Sequence, residues 1–347
     1  MNSPIVLVGL PRSGSTLLSR IINESSECFM VSDFYYLQYV ESLDGYHKKD
    51  CHTKGLLVDF VVSQLKNRTK PEHLEDEIWF GLPFSAAQIE QLEAFAQTYK
   101  DDSAEKDWAE VLNDAMQFAA QLCGRPVWGY NTPQDYLNAD RLLSRFPDTK
   151  FLFLLRSPAR TLLSYKYYWT TEPKFRKDRG RYHPAVQSLA WKTCAKSYLA
   201  LQEKLGSDKC TLIKFEDVVS HTDKIVSKIS KFASVSFPSV DISKFGNNSS
   251  LNKDGKKKAL TQLEKGICQF LTRKESLLLG YKSTKEASSH SVLRSSASGG
   301  SLLNVGKDVA DLLATTGRNA SFYLSQFVFS KNTRKRVIRF VRKVAST

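Results

Sequence analysis

Pro4-Ile5-Val6-Leu7-Val8-Gly9-Leu10-Pro11-Arg12-Ser13-Gly14-Ser15-Thr16 runs from an apolar, β-branched stretch through a glycine-bounded loop. The apolar residues that follow, Leu17, Leu18, Ile21 and Ile22, recur at helical spacing, so the order is strand, loop, helix. Gly9 and Gly14 have the GxxxxG spacing of a phosphate-binding loop, in which backbone N–H groups and the positive end of the helix cradle an anion. Nucleoside triphosphatases require a lysine directly after the second glycine. Here Ser15 stands in that place and the cation is Arg12 instead, which disfavours ATP hydrolysis.

Two further apolar runs extend the pattern. Lys150 to Leu155 leads through Arg156, Ser157 and Pro158 into a helical segment ending near Tyr168, and Thr211 to Phe215 leads through Glu216 and Asp217 into a helical pattern from Thr222 to Phe232. Continuous apolar strands alternating with helices predict an α/β fold with a mainly parallel sheet covered on both faces. Asp44 to Gln121 reads mostly helical, most clearly over Ala86 to Tyr99 and Trp108 to Leu122, and predicts a helical insertion beside the sheet. After Tyr281 the sequence KSTKEASSHSVLRSSASGGS marks a linker, giving a catalytic domain over 1–282, a linker over 283–302 and a basic helical tail over 303–347.

The 347 residues are 41% hydrophobic, enough for a substantial core, and carry a formal net charge of +14. That excess suggests an anionic partner. Lys331, Arg334, Lys335, Arg336, Arg339, Arg342 and Lys343 lie in the tail with no acid among them, so half of the net charge is there. Val337, Ile338, Val341 and Val344 fall at helical spacing in the same segment, as in a basic amphipathic helix that lies on an anionic membrane; docking on the protein's own body or a disordered end are the alternatives. No stretch approaches the roughly 18 apolar residues of a membrane span, and the N-terminus lacks a signal-peptide pattern, which reads as cytoplasmic. The six cysteines form no CxxC pair and the six histidines no HExxH spacing, so neither a metal site nor a disulfide framework is expected.

The loop PRSGST resembles the PRSGTT loop of sulfotransferases that use 3′-phosphoadenosine 5′-phosphosulfate (PAPS), in the branch shared by tyrosylprotein sulfotransferases and many bacterial enzymes. The resemblance implies a P-loop NTPase-like three-layer fold and assigns the donor's 5′-phosphate to Pro11, Arg12, Ser13, Gly14, Ser15 and Thr16. A second match is Arg156 at a strand end with Ser164 eight positions later, the family's grip on the 3′-phosphate. A guanidinium there can bind a phosphate bidentately while the helix hydroxyl adds a hydrogen bond. Further matches are Phe146-Pro147-Asp148, Phe215-Glu216-Asp217, Asn247 to Ser250, and Leu260 to Tyr281. In the late loop, Ser249, Ser250 and Lys253 are implied donor contacts; a solvated basic loop is the alternative for its lysines.

Sulfonate transfer is an in-line displacement that depends on positioning and on stabilising spreading negative charge. Arg12 is the residue for the leaving group, and no metal is required. Aligned from the loop without gaps, Asp33 takes the place of the tyrosylprotein branch's acidic base, with Glu41, His47 and His52 as other candidates. An ordinary carboxylate, with a pKa of about 3.9, is a weak base for an alcohol unless burial raises it. The sequence departs from the family at Trp128-Gly129-Tyr130-Asn131-Thr132-Pro133, where relatives carry Lys-x-Pro and the lysine is Asn131 here. The expected acceptor is a hydroxyl of a carbohydrate or glycolipid, with no nucleic acid partner. A P-loop kinase or triphosphatase, and a non-catalytic polyanion binder of the same fold, are the competing readings.

Overall fold

Five apolar runs become strands: β1 (Ile5–Gly9), β2 (Cys28–Ser32), β3 (Val127–Asn131), β4 (Lys150–Leu155) and β5 (Cys210–Lys214). The computed structural model describes residues 3–69, 84–171, 182–242 and 259–281. The strands lie in the order β2-β3-β1-β4-β5, and every neighbouring pair is parallel. All of β1 and β2 and all but the first residue of β4 are buried, as a parallel sheet covered on both faces requires. The α/β expectation therefore holds. β2 and β3 add two strands to the three read from the sequence. The third expected strand begins one residue earlier, and Phe215 opens a helix instead of closing the strand.

The helices are α1 (Ser15–Asn23), α2 (Tyr36–Ser42), α3 (Cys51–Asn67), α4 (Ala86–Asp101), α5 (Trp108–Leu122), α6 (Ala139–Arg145), α7 (Pro158–Thr171), α8 (Pro184–Leu205), α9 (Phe215–Ser220), α10 (Thr222–Ala233) and α11 (Gln262–Leu278). The expected helical insertion is α3 to α5, with α3 packed on both α4 and α5. Its starts are locally encoded: Ser85 with Gln88, and Asp107 with Glu110, close capping boxes that satisfy first-turn N–H groups.

The chain divides into two units, Met1–Leu155 with Ala200–Asn252, and Arg156–Leu199 with Lys253–Thr347. In the first, one core cluster joins Ile5, Leu7 and Met30 of the sheet to Leu18 and Ile22 of α1 and Ile229 of α10. Phe34 packs against Tyr36, Phe60 and Tyr130, with ring centroids 5.8, 6.3 and 5.7 Å away. Side chains alternate along β3, so Gly129 and Asn131, in register with Ile5 and Leu7, face the α1 side, and Trp128 and Tyr130 face the other. In the second unit α11 packs on α7 around Leu162, Tyr165, Tyr182, Leu260 and Cys268. Glu264 on α11 accepts from Lys166 Nζ and Tyr182 Oη, each at 2.8 Å.

No described helix is long and apolar enough to cross a membrane. The linker, the basic tail, Ser249, Ser250 and Lys253 lie outside the described residues.

Candidate functional site

The loop after β1 is shaped by its own backbone. Ser13 is 1% exposed, and both its N–H (3.1 Å) and its hydroxyl (2.6 Å) donate to the Leu10 carbonyl. Ser13 thus folds the loop, and its two donors are already engaged. Arg12 takes a left-handed conformation at φ 70°, rare for a non-glycine residue, and Gly14 follows at φ 98° as the N-cap of α1. A cap without a side chain leaves the first-turn N–H groups no side-chain acceptor, and the first helical bond is from Leu18 N to Gly14 O at 3.2 Å. Donors of this kind at the positive end of a helix suit a phosphate or sulfonate oxygen. Pro11, Arg12, Ser15 and Thr16 are part-exposed beside them.

The segment Asn131-Thr132-Pro133, continuing β3, ties this loop to the end of β2. On one edge Gly9 N donates to Pro133 O at 3.0 Å; on the other, Phe34 N donates to Asn131 O at 3.1 Å and Tyr35 N to Thr132 Oγ1 at 3.2 Å. Asp33 and Tyr35 both adopt left-handed backbones, at φ 51° and 41°. Such strain persists only where surrounding bonds enforce it, and it gathers at functional sites. Arg68, at the end of α3 and 3% exposed, supplies one of those bonds: its Nη2 donates to the Asp33 carbonyl at 2.9 Å. Tyr35 Oη lies 3.4 Å from Asp33 Oδ1.

Burial raises the Asp33 carboxyl above the usual carboxylate range, against the opposing pull of the Arg68 guanidinium and the Tyr35 hydroxyl. A carboxylate raised this way is a better proton acceptor. Asp33 directly precedes the residues bonded to the Asn131 segment. Glu41 lies on α2, and His47 and His52 are exposed, in the turn Gly45–His47 and the first turn of α3.

Asn131 is fully buried and faces the α1 side next to Ser32, its register partner on β2. Among the described residues neither amide atom of Asn131 nor the Ser32 hydroxyl has a hydrogen-bond partner. Buried polar atoms rarely remain unpaired, so this pair at the strand ends fits a polar guest.

A model of the sulfotransferase family matches residues 4–239. The chain belongs to the sulfotransferase family. Similar solved sulfotransferase structures include the sulfotransferase domain of the Synechococcus PCC 7002 olefin synthase, at 16% identity and TM-score 0.49, covering 82% of this chain and 97% of that one. The sulfotransferase of Alicyclobacillus acidocaldarius follows at 16% identity and TM-score 0.43, covering 82% and 98%. Mouse sulfotransferase SULT7A1 complexed with PAP, at 12% identity and TM-score 0.40, covers 79% and 84%. No curated protein sequence matches the chain.

The sulfotransferase's second expected phosphate residue, Arg156, belongs to the second unit and follows directly on β4. Its carbonyl accepts from Trp191 Nε1 at 2.8 Å and from Thr161 Oγ1 at 3.2 Å, so its backbone is fixed from two sides. Ser164 lies on α7, part-exposed. Among the described residues no group of three or more His, Cys, Asp or Glu could hold a metal ion. Arg68, Tyr35 and Ser32 were not foreseen in the sequence. The one sequence signal for Tyr35 is its place two residues after the expected base.

Proposed function

We propose that this sulfotransferase moves a sulfonate group from PAPS to an acceptor hydroxyl of a carbohydrate or glycolipid. The observation that carries the reading is the loop itself: Gly14 capping α1 without a side chain, Arg12 beside it, and no lysine at position 15. These residues fit a 5′-phosphosulfate, which needs backbone donors and a cation but no metal-bound triphosphate. The family motif assigns Pro11, Arg12, Ser13, Gly14, Ser15 and Thr16 to that end of the nucleotide; both donors of Ser13 are bonded to the Leu10 carbonyl, so its part is to shape the loop. Arg156 and Ser164 hold the 3′-phosphate, and Ser249, Ser250 and Lys253 complete the donor contacts.

In the reaction the acceptor oxygen bonds to sulfur as the bond from sulfur to the nucleotide's phosphate oxygen breaks, and the electron pair leaves with the nucleotide. Asp33 takes the acceptor's proton. Arg12 stabilises the charge that develops on the departing phosphate. Asn131 provides a neutral N–H donor where relatives place a cation, so more of that stabilisation falls to Arg12.

Thermal unfolding with the product 3′,5′-adenosine bisphosphate, compared with ATP and magnesium, tests the donor. A larger stabilisation by the bisphosphate is expected. Preferential stabilisation by ATP and magnesium would overturn the reading in favour of a kinase or triphosphatase.

A further inference from the structure

Tyr35 is an anomaly that the donor site does not account for. It is 45% exposed, and within its unit it is the one exposed large hydrophobic side chain among the described residues. It also holds a left-handed backbone, at φ 41°, which a bulky aromatic residue seldom adopts. Two partners from distant sequence fix that region: Thr132 Oγ1 receives the Tyr35 N–H, and Arg68 holds the carbonyl of Asp33 two residues earlier. The fold thus maintains a strained backbone and leaves an aromatic ring partly in solvent, where burial would have gained stability. Its hydroxyl remains directed at Asp33 Oδ1, 3.4 Å away.

We propose that the Tyr35 ring is the platform on which the acceptor lies, and that the acceptor is a neutral sugar. The proposal rests on the sulfotransferase reading above and names the substrate class of the same site. A sugar ring has an apolar C–H face and a polar edge of hydroxyls. Tyr35 offers an aromatic face beside a carboxylate, so a sugar stacked on the ring presents a hydroxyl to Asp33. A uronic acid in that position brings a second carboxylate towards Asp33, and like charges in a part-buried place repel. A flat phenol on the same ring is the competing acceptor, but it carries one hydroxyl where a sugar presents several around its edge.

The test uses the full-length protein with labelled PAPS and three acceptor sets: neutral mono- and disaccharides, their uronate counterparts, and 2-naphthol. Neutral sugars should be the best acceptors. Tyr35→Ala should raise the acceptor KM about tenfold, and Tyr35→Phe, which keeps the ring, should leave that KM within about twofold while moving the pH profile of kcat. Affinity for 3′,5′-adenosine bisphosphate, measured by calorimetry, should not change in either variant. An unchanged KM in Tyr35→Ala, a preference for uronates or naphthol, or no turnover of any sugar by a protein that binds the bisphosphate would overturn the platform. Failure of the parent to bind the bisphosphate would instead overturn the sulfotransferase reading beneath it.

Discussion

The backbone of Gly14 lies so close to the ring of Phe215 that a Cβ at Gly14 would come within 2.2 Å of two ring carbons. The ring is 5% exposed and belongs to the core cluster that includes Leu18 and Ile22 of α1, so it has little room to give way. Gly14 therefore has two independent reasons to be glycine, its φ of 98° and this contact.

Gly14→Ala is accordingly expected to destabilise the protein by about 2–4 kcal/mol, combining the left-handed backbone term with overpacking. It should also abolish binding of the bisphosphate. Denaturant unfolding and calorimetry check both, and a variant that unfolds like its parent would show that the loop can move off Phe215.

Asp33→Asn should separate stability from activity. The folded protein raises the Asp33 carboxyl, so it holds that proton more tightly than the unfolded chain does. Ionising the group as pH rises from the ordinary carboxylate range through the raised value therefore removes stability. Asparagine cannot ionise. Relative to the parent, the variant should gain melting temperature at pH 7, and the gain should shrink on acidification below the ordinary carboxylate range. Turnover should vanish while bisphosphate affinity persists. A relative gain that grows towards low pH would contradict the raised carboxyl.

Arg156→Ala removes the guanidinium assigned to the 3′-phosphate. A loss of roughly 10- to 100-fold in bisphosphate affinity is expected, the range for a charge-assisted contact. Affinity for adenosine 5′-phosphosulfate, which lacks the 3′-phosphate, should change far less. Equal losses for both ligands would mean that Arg156 supports the fold and does not read the phosphate.

Asn131→Lys introduces, at a fully buried position, the cation that the resemblance leads one to expect there. Without ligand, an ammonium there should lower stability by several kcal/mol through desolvation. With the bisphosphate bound, part of that loss should return, so the ligand-induced rise in melting temperature should exceed the parent's. An identical rise in both proteins would place Asn131 away from the anion.

The loop, β4 with the start of α7, and the helical insertion were legible because each is a local pattern: an apolar run, a cap and a period of 3.6. β2 and β3 were not. Their sequences, CFMVS and VWGYN, are five residues long and end in the polar residues Ser32 and Asn131. Apolar runs this short carry too little periodicity to tell strand from helix or loop. Asp33 could be placed by its distance from the loop, but its hold on the chain could not. Arg68 is 35 positions away, and nothing around it in the sequence marks it as the partner of a strained carbonyl. The boundary at Phe215 failed for a similar reason, because an aromatic residue after an apolar strand reads as more strand until its contact with Gly14 is seen.

The three residues Asn131, Thr132 and Pro133 bond Gly9 along one edge and Phe34 and Tyr35 along the other. A main-chain shift on one side is passed through this strut to the other, so grafting a new segment after β2 should also disturb the loop after β1. Side-chain exchange at Tyr35 changes the exposed ring while its N–H, bonded to Thr132, leaves the shared strut inherited intact.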